Sequence, residues 1–131
     1  MKPELQFSVI CDDVRQEKNG KFMFIGVFNT VSGVSFPVVH PVLHIVNQWC
    51  SGEGTFRQQS RIIDMENKLV VASPEITFQL KDFYSSHFVI SRFQGVVLPC
   101  AGQYSVEVLL EGELFRRFPF HILQIQKPQT E

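Results

Sequence analysis

Two histidines, a pair of aspartates, three cysteines and a lone tryptophan are the residues of this chain whose types could do chemistry. His40 and His44 flank Pro41-Val42-Leu43. Imidazole is the commonest metal ligand. On an extended strand, however, positions four apart lie about 13 Å from each other, too far for one ion unless the chain kinks at Pro41. The spacing predicts one loop histidine and one strand histidine. Asp12-Asp13 closes a strand-like run, where calcium-binding sandwiches of the C2 type gather carboxylates. Such a site needs carboxylates from more than one loop, and no sequence signal brings Asp64, Glu66 or Asp82 to the pair. Asp12 accepting backbone hydrogen bonds at the base of a hairpin is the expectation. Trp49 and Tyr84 supply the rings for a sugar-stacking platform, whereas Trp49 in an apolar strand reads as core. Cys11, Cys50 and Cys100 have apolar neighbours, which raise a thiol pKa and make it inert. A phosphate loop, a G-x-S-x-G elbow and an H-E-x-x-H pair are all missing. The expectation is no catalytic residue, no metal and no cofactor.

The elements that must position these residues are strands. At 131 residues the chain can bury a core as a single domain without staples. Twelve basic against thirteen acidic side chains, net charge -1, leave no field to attract nucleic acid or an anionic membrane. Thirteen phenylalanines with one tryptophan predict an interior filled by rings. The opening Met1-Lys-Pro-Glu-Leu does not read as an export signal, and no apolar run has the length of a membrane span. An odd cysteine count at no metal-like spacing predicts buried, reduced thiols and a cytoplasmic home.

Taken in order, Leu5 to Val14 reads as a first strand, Asn19-Gly20 as a two-residue turn, and Lys21 to Phe28 as a second strand. That turn sets Val14 opposite Ile25 and places Phe22, Phe24 and Phe28 on one face beside Asp13, Arg15 and Glu17. The second strand is then apolar on both faces. Residues 29–41 read as a connector and Val42 to Trp49 as a third strand. Thr55 to Asp64, polar through its middle, reads as a solvent-edge strand. Leu69 to Ala72, Ile76 to Leu80, Phe88 to Phe93 and the stretch from Tyr104 follow, with turn signals about every 8–12 residues. The fold class is all-β: an antiparallel β-sandwich, immunoglobulin-like or C2-like, of about seven to nine strands over residues 1–125, with 126–131 a loose tail.

The closing hairpin carries the most specific signal. Tyr104, Val106, Val108 and Leu110 alternate on one face. A three-residue loop, Glu111-Gly112-Glu113, puts Tyr104 opposite Phe120 and Val106 opposite Phe118, and is preferred to a two-residue loop. Gly102-x-Tyr104 after Pro99 matches the tyrosine corner of immunoglobulin-type sandwiches, in which the hydroxyl folds back on upstream backbone. Cys11-Asp12-Asp13-Val14-Arg15-x-Glu17-x-x-Gly20-Lys21 with Ile25-Gly26-Val27-Phe28, together with Gly102-x-Tyr104-x-Val106-x-Val108-x-x-x-Gly112, resembles the two ends of a family of small bacterial all-β proteins of unknown function. The resemblance implies a structural likeness and no activity.

The sequence therefore points first to a non-enzymatic interaction or structural module. Its interface is expected at Phe22, Phe24, Phe28 and Arg15, with a second copy or another protein as partner. A sandwich binding calcium or carbohydrate around Asp12, Asp13 or Trp49 is the alternative, and a hydrolase the last. The cysteine reading is tested by titrating denatured, unreduced protein with a thiol reagent: three free thiols are expected, and one would overturn the reducing compartment.

Overall fold

In the computed structural model, which describes residues 1–126, ten strands form two sheets and no helix. They are β1 (Glu4–Gln16), β2 (Phe22–Phe28), β3 (Thr30–Gly33), β4 (Val38–Cys50) and β5 (Gly54–Ile63). β6 (Leu69–Ala72), β7 (Ile76–Leu80), β8 (Ser86–Leu98), β9 (Gly102–Leu110) and β10 (Glu113–Gln124) complete them. Sheet A runs β2-β1-β4-β8 and sheet B runs β3-β10-β9-β5-β6, with β7 also on β5. Every pairing is antiparallel except β3 on β10. This is the expected sandwich, with one strand more than foreseen because the connector after Asn29 forms β3 and joins sheet B. Residues 127–131 of the expected tail lie outside the described residues.

Side chains facing the other sheet form two apolar clusters. One holds Ile10, Leu43, Ile45, Ile62, Phe93, Tyr104 and Phe120; the other holds Trp49, Phe78, Leu80, Val89, Val108 and Leu110. Asn47, Gln58 and Ser60, all buried, are polar members of the same interior. Asn47 Nδ2 on β4 donates to Gln58 Oε1 at 2.8 Å and Ser60 Oγ at 2.7 Å on β5, and Trp49 Nε1 donates to the same Gln58 oxygen at 3.3 Å. That network corrects the edge-strand reading of residues 55–64. Gln58 and Ser60 are polar because they bond across the sandwich, and β5 is an inner strand between β9 on one side and β6 and β7 on the other.

Both hairpin turns differ from expectation by one residue. At the first, Glu17 N donates to Lys21 O and Gly20 N to Glu17 O. The loop is thus Lys18-Asn19-Gly20, with only Gly20 at positive φ (90°). Val14 consequently faces Phe24, and Met23 faces Arg15. At the second, Glu111 (φ 52°) and Gly112 (φ 79°) make a two-residue turn of the kind that needs positive φ at both positions. A bulge between Leu114 and Arg116 then adds the missing residue. From there Phe118 faces Val106 and Phe120 faces Tyr104, as the odd loop required.

The corner is formed. Tyr104, 1% exposed, donates its hydroxyl hydrogen to Cys100 O at 2.7 Å and accepts from Cys100 N at 3.4 Å. Burial, with the nearby Cys100 thiol, pushes the phenol up to about 12. Tyr104→Phe is expected to cost about 1 kcal/mol, the scale of one buried hydrogen bond, while keeping the fold. Coincident urea midpoints for the two proteins would show a solvated hydroxyl.

Candidate functional site

The β1–β2 ribbon does not continue flat beyond sheet A. β1 pairs with β4 only as far as Cys11 opposite His44, yet pairs with β2 out to Gln16 opposite Phe22. Phe24 pairs with Val14, seven residues from Phe7; on a straight strand that is about 23 Å, at about 3.3 Å per residue. The Phe7 and Phe24 rings nevertheless lie 5.9 Å apart, edge to face, and Phe22 meets Phe88 at 4.8 Å. The ribbon therefore folds back over sheet A on the side away from sheet B. Phe7 and Phe88 flank Gln48 there, next to Asn47 and Trp49, which point inward.

The turning point is legible in the backbone. Gly26 has φ 69° and a Cβ on it would sit 2.6 Å from Asp12 Oδ2, so the bend favours glycine. Past it the faces of β2 exchange. Phe28 turns inward to Phe120, ring centroids 6.3 Å apart, while Phe22 and Phe24 pack down on the sheet's back. The fold-back explains why Val46 and Cys11, on that back surface, are 0% exposed.

The expected interface face is thereby corrected. Phe22, Phe24 and Phe28 share no common outward face, and Arg15 and Asp13 stand opposite Met23 and Ile25. The physical reason is the three-residue loop plus the reversal at Gly26. What reaches solvent on β2 is Met23, Ile25 and Val27, 41%, 45% and 59% exposed. Beside Met23 and Ile25 lies the Asp13–Arg15 ion pair, Oδ2 to Nε 3.0 Å.

The remaining candidates separate. Asp12 holds both histidines loosely at the bend: its Oδ1 lies 3.5 Å from His40 Nε2, and its carbonyl oxygen lies 3.2 Å from His44 Nδ1. Both histidines are on β4, which replaces the loop-and-strand expectation. Asp13 bonds Arg15, which holds its carboxyl below the usual range. Among the described residues, no group of three or more His, Cys, Asp or Glu side chains is placed to hold a metal ion. Trp49 is fully buried against Phe78 and Phe115, while Tyr84 is exposed in a loop on Phe83, so the two form no platform. Burial, together with the charges of Asp12 and Asp13, pushes the Cys11 thiol up. Contrary to expectation Cys100 is exposed; all three thiols are free. A cleft of about 460 Å³ opens between the sheets, lined by Ser8, Ile10, Phe28, Asn29, Val106 and Phe118.

The sequence reading missed Glu107. It belongs to the outer face of sheet B yet is 1% exposed, opposite Arg61 on one neighbour and Arg117 on the other. Arg61 Nε donates to Oε1 at 2.7 Å; Arg117 Nε and Nη2 donate to Oε2 at 2.9 and 2.6 Å. Burial alone would raise its pKa, but these charge-assisted bonds outweigh burial and hold it below its ordinary 4.5. The preferred hairpin register already set Arg117 opposite Glu107, and that was the available signal. A carboxylate with a depressed folded pKa adds stability above its unfolded pKa, and that stability is lost as pH falls through the folded value. Glu107→Gln is therefore expected to cost about 2 kcal/mol at neutral pH, less than a fully buried pair because both arginines reach water. It should also flatten the loss of stability below about pH 4.5. Urea unfolding across pH 3–7 checks this, and equal slopes for the two proteins would refute it.

No helix among the described residues is long and apolar enough to cross a membrane. No curated protein matches the chain. The profile of a family of unknown function (DUF6941) matches residues 6–123, which takes in both end hairpins, the fold-back, the Tyr104 corner and the Glu107 clamp. By that match over most of its length, the chain belongs to the family of unknown function DUF6941.

Proposed function

We propose that the protein is a non-enzymatic interaction module, acting in the cytoplasm, that engages a protein partner through the free edge and solvent side of β2. One observation carries the reading: β2 is the end strand of sheet A, and its seven residues include no charge and no proline. Edge strands left open in this way are templates for pairing. The other edges are blunted. His121 N donates to Asn29 O, just before β3. Two residues earlier the same outward direction belongs to Pro119, which has no N–H, and Arg116 and Arg117 precede it. β8 carries Arg92 and the positive-φ Gly95, while β3, β6 and β7 are four or five residues long. Met23, Ile25 and Val27 supply apolar anchors and Asp13–Arg15 the charged rim.

The ligand-binding alternative draws its support from the cleft beside Phe28 and Phe118. Its mainly apolar walls suit a hydrophobic guest rather than calcium or a sugar.

Ile25→Lys places a charge on the exposed strip without touching the core, whereas Phe24→Lys strikes the packed fold-back. Ile25→Lys is expected to keep the wild-type urea midpoint and to abolish the complex the protein forms in its own cells, read as mass by light scattering. Phe24→Lys is expected to lose about 2 kcal/mol of stability from ring burial. An unchanged complex with Ile25→Lys would sink the β2 reading; a stable Phe24→Lys protein would sink the packing account.

A further inference from the structure

The outer face of sheet B carries two arginine clusters of opposite balance. Arg57 meets two carboxylates, Glu111 Oε2 at 3.1 Å and Glu75 Oε2 at 3.7 Å. Arg61 and Arg117 together meet one, Glu107. One arginine would neutralise Glu107, so the second leaves a local surplus of positive charge.

That surplus is held still. Each guanidinium carries its N–H donors in a fixed fork. Arg61 gives only Nε to Glu107, and its two terminal nitrogens have no hydrogen-bond partner among the described residues; Arg117 keeps Nη1 in the same state. Glu107, buried within its strand and bonded to both, sets where the two forks point. They border a recess of about 290 Å³ whose other walls include Ile63, Asn67 and Leu69. Leu69 is 61% exposed, so the recess sets an aliphatic ledge beside free guanidinium edges. A planar carboxylate matches such edges two bonds at a time. An aliphatic chain attached to it would cover Leu69, whereas an inorganic phosphate would gain nothing from that ledge.

We propose that Arg61 and Arg117 bind the carboxylate of a branched aliphatic acid, free or at the end of a peptide, with its hydrocarbon on Leu69. The site lies on the sheet opposite β2 and stands apart from the interaction reading.

The side-chain Nε–H resonances of Arg61 and Arg117 report occupancy directly. The intact protein is titrated with N-acetyl-leucine, 4-methylpentanoate, N-acetyl-leucinamide and inorganic phosphate. Both carboxylates are expected to shift the two resonances saturably, and the amide to leave them unmoved. Tighter binding of N-acetyl-leucine assigns the site to a peptide terminus; tighter binding of 4-methylpentanoate assigns it to a free acid. Arg61→Gln, which leaves Glu107 paired with Arg117, should weaken binding about tenfold or more. Leu69→Asn, at an exposed position, should weaken it about threefold through lost apolar contact. A cooperative melting transition in each confirms that both variants are folded, with Arg61→Gln lower than wild type because Glu107 Oε1 loses its donor. Unmoved resonances with both carboxylates would overturn the proposal. So would phosphate binding as tightly as the acids with Leu69→Asn having no effect, since that marks a general anion patch.

Discussion

The amide of Asn47 is the joint between the two sheets. It projects from β4 and donates to Gln58 and Ser60 on β5, and the Trp49 indole N–H donates to the same Gln58 oxygen. These groups are fully removed from water, so each bond lost would leave a buried donor or acceptor unpaired, at about 1–3 kcal/mol apiece. Apolar side chains tolerate a small slide of one sheet over the other; this network does not. It sets which faces of β4 and β5 look inward, and lies between the clusters around Ile45 and around Trp49.

Local rules carried far in the sequence and failed at particular places. Period-two alternation placed Tyr104, Val106 and Val108 correctly, because β9 keeps one face toward the core throughout. The same period is present in residues 55–64, but their polar middle reads as a solvent-edge strand, since Gln58 and Ser60 resemble surface residues until Asn47 is known to face them. Turn chemistry was ambiguous at single-residue resolution. Asn-Gly suits a two-residue turn, yet Asn19 does not take positive φ, and a third residue shifts every partner on β2. At the other end Glu111 does take positive φ, and a bulge restores the pairing that the wrong loop length had implied.

The candidate site was less legible than the fold for a related reason. Sequence shows that β2 is apolar on both sides but not that a ribbon will double back. The reversal depends on Gly26 opposite Asp12 and on β4 letting go of β1 after Cys11, and only the second involves a contact distant in sequence. Gly26 alone reads as a bulge or a weak point in a strand. The fold-back uses the phenylalanines to cover Val46 and Cys11, so the residues expected to greet a partner instead shield the sheet. The smaller side chains between them inherit the surface.

The two sheets consequently present unlike outer faces. The fold-back lays phenylalanine rings over part of the back of sheet A and leaves Met23, Ile25 and Val27 exposed on its uncharged end strand. Sheet B leaves its outer face open and solves the same problem with ions. Glu107 is buried there not by a covering element but by the two arginines that flank it, whose stems lie over the sheet while their heads reach water. An ion pair so placed gives little net stability compared with apolar packing. Its more distinctive consequence is orientation, because a buried carboxylate between two strands fixes two guanidiniums that would otherwise be mobile. A sheet needing only a cover could have used a second ribbon, as sheet A does. Two oriented arginines beside a mainly polar recess, with exposed Leu69 at its rim, suit the carboxylate proposed for it.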